Sequence, residues 1–157
     1  MAVNLKKKGE TSTTVSVGIR IDPKIKFALD LMGRMQKRSL TAVIEWAISN
    51  AIAQQQFRSP DETFADAIEK VWSTDESTRF VQQALYMPET LTYDELRIWE
   101  TIKESIDFWA GNHDGTWTHV DFLLRKDEVR EHWDRLLEHV QQYRTSPTIV
   151  PYSTIPF

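Results

Sequence analysis

The fold is decided by residues 13–52, which read TTVSVGIRIDPKIKFALDLMGRMQKRSLTAVIEWAISNAI. Apolar side chains stand at every second position from Val15 to Ile21, and polar or small residues lie between them. A period of two is typical of a β-strand with one buried face. We therefore predict a strand that ends at Asp22-Pro23.

Two amphipathic helices are predicted to follow this strand. Asp22 can accept hydrogen bonds from the free amides of a helix start, and proline suits the first helical position. The first helix should extend to about Gln36, with apolar residues at spacings of three and four. Ser39 is a suitable N-cap for the second helix, whose apolar stripe continues to Ile52.

One strand and two helices cannot form a satisfactory core alone. The strand leaves a row of backbone N–H and C=O groups unpaired, and fewer than about 50 residues bury little apolar surface. We therefore expect a homodimer in which two strands pair antiparallel over four helices. The predicted dimer core consists of Val15, Val17, Ile19, Ile21, Leu29, Met32, Val43, Ile44, Ala47 and Ile48.

This stretch resembles the ribbon-helix-helix family of bacterial and phage repressors and antitoxins. The shared features are a short alternating strand, an Asp-Pro helix start and a serine that opens the second helix. The resemblance covers about 40 residues and implies a mainly α fold, with an intertwined dimeric domain of one strand and two helices followed by a small helical domain. It also implies binding to double-stranded DNA through a two-stranded ribbon in the major groove.

In that family, outward residues of the strand read bases, which here implies Ser16, Gly18 and Arg20. Gly18 departs from the pattern because the middle position usually has a side chain. From chemistry alone, Arg20 can offer two parallel hydrogen bonds to guanine, worth about 1 to 3 kcal/mol of discrimination.

Phosphate contacts are expected at the start of the second helix, where free amides and the helix dipole favour an anion. The family resemblance places Ser39, Leu40 and Thr41 there, and two basic residues lie beside them. Residues 1–12 would form a flexible basic arm along the duplex. The predicted additional phosphate contacts are Thr14, Lys37, Arg38, Lys6, Lys7 and Lys8.

The charge is distributed unevenly, although the whole chain carries only −4. Residues 1–58 contain ten basic and four acidic residues, a net +6, and the remainder contains nine basic and nineteen acidic residues, a net −10. Such asymmetry indicates a half that faces nucleic acid, joined to a half that faces a partner or effector or only solvent.

The second half is predicted to be folded and helical, because five of the six tryptophans lie in it. Capping patterns and apolar spacing predict helices near 61–71, 75–86, 93–109 and 128–143. Residues 111–115 should form a loop, and 118–124 are ambiguous between strand and helix. Two domains are predicted: 13–57, for DNA binding and dimerisation, and the helical domain 60–145. A Pro-rich extended tail, 146–157, follows, and we expect this tail to pack on its own domain.

Catalysis, metals and membranes are not expected. No catalytic motif is present, no cofactor is implied, and there is no cysteine to act as a ligand or nucleophile. His132 and His139 are two helical turns apart, too far for one metal ion without a third element. His113 and His119, with Asp114 or Asp121, are a weaker metal candidate, and Trp117 is a candidate exposed contact. No segment indicates a membrane span or signal peptide, so a cytoplasmic protein is expected.

The leading functional hypothesis is a sequence-specific transcriptional regulator, most simply a repressor. It would bind an inverted-repeat operator as a homodimer, and the sequence leaves open whether higher oligomers form on DNA. The alternatives are the antitoxin of a toxin-antitoxin pair, an accessory protein of plasmid transfer or partition, and an enzyme with a DNA-binding anchor.

Overall fold

The computed structural model describes residues 14–110 and 123–154. The chain divides into two compact units between Lys70 and Val71. Seven α-helices are found in the described ranges: α1 (Pro23–Gln36), α2 (Leu40–Gln54), α3 (Phe64–Val71), α4 (Glu76–Tyr86), α5 (Tyr93–Glu104), α6 (Lys126–Glu131) and α7 (Trp133–Gln142). None of these helices has the length and hydropathy that a membrane span requires.

The predicted N-terminal strand is wrong. Residues 14–22 form neither helix nor strand, and their side chains are exposed. Alternating side chains specify a face, but a strand also needs a hydrogen-bonded neighbour, and no described segment pairs with this one. The described ranges contain no β-strand, only the isolated bridges Gln56–Thr63 and Trp109–Leu124.

The ribbon-helix-helix assignment fails with that strand, because such a domain needs one. The predicted fold class, a strand and two helices followed by a helical domain, is therefore corrected to a mainly helical protein without a strand in its described parts. The family resemblance came from short features that any Asp-Pro helix start and Ser-capped helix share.

The two helices predicted after the strand are confirmed. Asp22 caps α1, accepting from the amides of Lys24 at 2.8 Å and Ile25 at 3.4 Å. Ser39 caps α2 through a hydrogen bond from the Ala42 amide at 3.1 Å. Both helix starts depend on local side-chain chemistry, which explains why the sequence predicted them.

Helix α3 begins later than predicted, at Phe64 rather than near Asp61. Its start is fixed by Thr63 and Asp66: the Thr63 hydroxyl accepts from the Asp66 amide at 3.2 Å, and the Asp66 carboxylate accepts from the Thr63 amide at 2.9 Å. The Thr63 hydroxyl also donates to this carboxylate at 2.7 Å, and this bond, followed by the one from the Thr63 amide, holds the pKa of Asp66 below its usual value.

The second unit surrounds a core to which α4, α5, α6 and α7 contribute. Ile102, Phe108, Val129 and Leu136 are fully buried, and the ring of Phe80 lies 5.2 Å from that of Trp133. The predicted capping box of α5 is confirmed, since Thr92 and Glu95 each bond to the other's backbone amide. The tryptophan-rich half is therefore a packed unit.

Two predicted helices of this unit are shorter than expected. Helix α5 ends at Glu104, and a 3-10 turn, Ile106–Phe108, comes after it instead of a continuation to Trp109. Ser105 donates its hydroxyl to the Thr101 carbonyl at 2.5 Å, a side-chain bond that competes with the helical pattern. The last predicted helix, 128–143, is two helices that meet at His132.

Candidate nucleic-acid interface

The turn between α1 and α2 is tight and is set by Lys37. Lys37 adopts a left-handed conformation, with φ 53°, which is uncommon for a residue other than glycine. Its amide bonds to the Arg34 carbonyl at 3.4 Å, and the Arg38 amide bonds to the Gly33 carbonyl at 2.9 Å. This arrangement ends α1 and places the start of α2 three residues later.

Gly33 allows the two helices to approach closely. It is the buried residue of α1, and a Cβ built at this position would lie 3.0 Å from the backbone oxygen of Arg38 and 3.7 Å from the Val43 side chain. A larger residue would therefore press on backbone rather than on a flexible side chain. The role of this glycine was not predicted, although a glycine inside a helical pattern is a signal of close packing.

Basic side chains gather at this turn. Arg34 and Arg38 line an open depression of about 350 Å³, together with Leu29, Asp30, Gly33 and Leu40. Asp30 is paired with Lys26 at 2.6 Å, which offsets its charge. Lys37 is exposed beside the depression. The structure thus brings Arg34, which the sequence analysis did not select, next to the predicted Arg38.

The first turn of α2 adds backbone donors to this basic region. Leu40 and Thr41 belong to that turn, where amides have no acceptor inside the helix. With the positive end of the helix dipole, such amides favour a phosphate group. Five of the predicted phosphate contacts therefore lie in consecutive positions around this turn: Lys37, Arg38, Ser39, Leu40 and Thr41.

The predicted base-reading residues do not belong to the turn between α1 and α2. Ser16, Gly18 and Arg20 lie in the exposed segment 14–22, and a Cβ at Gly18 would have no neighbour within 4 Å. No described ribbon presents them, so the reading geometry that the family resemblance implied is not present. Thr14 is also exposed, while Lys6, Lys7 and Lys8 lie outside the described residues.

The predicted dimer core is mostly not buried within one chain. Val43 is fully buried, and Leu29, Met32, Ile44 and Ala47 are half-buried. The rest of the set, Val15, Val17, Ile19, Ile21 and Ile48, is exposed.

A large apolar surface remains on the α1–α2 hairpin. Seven of the sixteen exposed large hydrophobic side chains of the described residues lie on these two helices. On α1, Phe27, Leu31 and Met35 succeed one another at intervals of four residues, with exposed fractions of 62%, 39% and 84%. That spacing places them on one helix face. We call these three residues the α1 stripe.

The histidine candidates give no metal centre in the described parts of the chain. No group of three His, Asp or Glu side chains there is arranged to hold a metal ion. His132 and His139 instead contact Tyr152 and the backbone of Val150. His113, His119, Asp114, Asp121 and Trp117 lie outside the described residues.

No family model, curated protein or solved structure matches this chain.

Proposed function

We propose that this protein is a DNA-binding transcriptional regulator whose residues 1–58, which carry a net +6, contact double-stranded DNA as a homodimer. The observation that carries the proposal is the turn between α1 and α2. Arg34 and Arg38 line one depression there with Leu40, which belongs to the first turn of α2 and its backbone amides, and the exposed Lys37 directly precedes Arg38. Guanidinium and ammonium groups beside a helix N-terminus are suited to the phosphates of a nucleic-acid backbone.

A homodimer is supported by how little the α1–α2 hairpin buries. Val43 is the one apolar side chain of these two helices with less than a tenth of its surface exposed. Soluble monomers rarely expose contiguous apolar patches larger than a few hundred Å². A second copy would cover the α1 stripe with an identical apolar stripe, as a two-fold interface requires.

The charge distribution supports the choice of partner. Residues 1–58 carry a net +6 within a protein whose total is −4. The acidic remainder, residues 59–157, would repel DNA, and this repulsion would orient residues 1–58 toward the duplex. Arg20 is included as a proposed contact of this unit, and a regulator of this kind is expected to work in the cytoplasm.

Lys37→Gln with Arg38→Gln is expected to weaken binding to duplex DNA and to reduce its salt dependence. Each lost phosphate contact lowers the slope of log affinity against log salt by about one, so the double variant, which removes two contacts from each chain of the dimer, should lose about four. Binding is measured by fluorescence anisotropy on a labelled duplex over a range of salt concentrations.

The matched control removes the same charge from the second unit. Lys126→Gln with Arg135→Gln changes two exposed basic residues on α6 and α7. We expect the control to keep the wild-type slope. Equal slopes for both double variants would assign the salt dependence to total charge and would contradict the proposed interface.

The antitoxin alternative has no specific observation in its favour. An antitoxin would use the second half or its Pro-rich tail, 146–157, and the described part of that tail, 146–154, packs against the second unit of its own chain. The absence of enzymatic activity stays a prediction.

A further inference from the structure

Residues 146–154, which we call the strap, are held on the second unit by a central tyrosine. The ring of Tyr152 stacks on Phe108, with centroids 5.6 Å apart and planes 2° from parallel. Its hydroxyl lies 3.0 Å from Nδ1 of His132, and its ring meets the His139 ring edge-on at 5.6 Å. Phe108 is fully buried beneath these contacts.

Side chains of the unit also bind the backbone of the strap at every second residue. Nε2 of His139 donates to the Val150 carbonyl at 2.8 Å, and the Tyr152 amide donates to the Ser105 hydroxyl at 2.8 Å. The Thr154 amide donates to the Asp107 carboxylate at 2.7 Å. We call Ser105, Asp107, Phe108, His132 and His139 the strap groove.

Asp107 adds selectivity for the two residues after the tyrosine. Its Oδ2 also accepts from the hydroxyls of Ser153 at 3.2 Å and Thr154 at 3.1 Å. These bonds, the Thr154 backbone first among them, hold the pKa of Asp107 below its usual value, so the carboxylate is charged near neutral pH. The groove therefore recognises a tyrosine and the two hydroxyl residues next to it.

The strap has the features of a separable ligand. Pro147 and Pro151 restrict the backbone, which lowers the entropy lost when such a segment binds. Arg97 donates to the carbonyls of Tyr143 at 3.1 Å and Ser146 at 3.5 Å, fixing the point where the strap leaves α7. Because α7 ends at Gln142, detachment of the strap beyond Ser146 would not require that a helix unwind.

We propose that the strap groove is a peptide-recognition site, and that the strap of a second copy binds it in trans. The groove already holds this segment with a full set of contacts, so an identical segment from another molecule meets the same chemistry. Within one chain the tethered strap dominates, because a short tether gives it a millimolar effective concentration. When two copies exchange their straps, the molecules are linked through their second units. This inference does not depend on DNA binding.

The test uses a fluorescein-labelled peptide of residues 146–154, SPTIVPYST, with the full-length chain. Tyr152→Ala empties the centre of the groove while leaving the groove residues intact. We expect the peptide to bind this variant at least tenfold more tightly than wild type, in which the tethered strap competes. A peptide with alanine in place of its tyrosine should bind neither protein.

A second variant is used to bind the peptide in case Tyr152→Ala does not fold. The variant Ser153→Ala with Thr154→Ala keeps Tyr152 and removes only the two hydroxyl contacts to Asp107. It should bind the peptide more tightly than wild type does, and circular dichroism shows which variants are folded. Equal peptide affinity for wild type and a folded variant, or equal binding of the alanine peptide, would overturn the proposal.

Discussion

Replacing Phe27 by glutamine is expected to convert the proposed dimer to a monomer. Phe27 is the aromatic residue of the exposed α1 stripe, with 62% of its surface accessible in one chain. Burying a phenylalanine side chain contributes about 1.5 to 3 kcal/mol, and a two-fold interface contains the residue twice. A combined loss of about 3 kcal/mol or more weakens dimerisation by roughly 100-fold or more.

The measurement is analytical ultracentrifugation over a range of protein concentrations. Phe27→Leu is the matched control, because it keeps an apolar side chain at the same position and should leave most of the dimer affinity. Neither substitution changes the charge, so DNA binding is altered only through assembly. A wild-type protein that is monomeric at micromolar concentrations would contradict the assignment of the stripe as an interface.

Phe108→Ala is expected to destabilise the second unit by about 3 to 5 kcal/mol. The side chain is fully buried, stacks on Tyr152 and forms part of the core that α4, α5, α6 and α7 share. Removing a buried ring loses its burial energy and leaves a cavity that neighbouring helices fill only in part. The change should be visible as a lower denaturation midpoint in chemical unfolding followed by tryptophan fluorescence.

Ile106→Ala provides the comparison within the same 3-10 turn. Ile106 is 67% exposed, whereas Phe108 is 0% exposed, so its truncation should change the free energy of unfolding by about 0.5 kcal/mol or less. If both substitutions lowered the midpoint equally, the turn would not be oriented as described, and the strap groove would lose its floor.

The helix starts were predictable because their signals are local. Asp22, Ser39 and Thr92 each cap a helix through bonds to amides two or three residues away. The absence of a strand was not predictable from the same kind of pattern, since alternation in 15–21 says nothing about a pairing neighbour. The late start of α3 was not predicted, because it depends on the hydrogen bonds between Thr63 and Asp66.

The candidate site was predicted in part. Lys37, Arg38 and Ser39 were selected because they are adjacent in sequence, and a tight turn keeps them together. Arg34 and Gly33 were missed because their role depends on how α1 approaches the start of α2. The packing of the Pro-rich tail on its own unit was predicted, and the contacts confirm it over 146–154, but its position over Phe108 depended on distant residues.

The most direct test of the central claim is selection of bound duplexes from a random-sequence DNA pool by the full-length wild-type protein, with Lys37→Gln and Arg38→Gln combined as the comparison. The account predicts that wild type enriches a two-fold symmetric site and binds it with two chains per duplex, while the double variant recovers far less DNA at the same salt concentration. Failure of wild type to enrich any sequence, together with equal recovery by the double variant, would contradict a DNA-binding role for the α1–α2 turn.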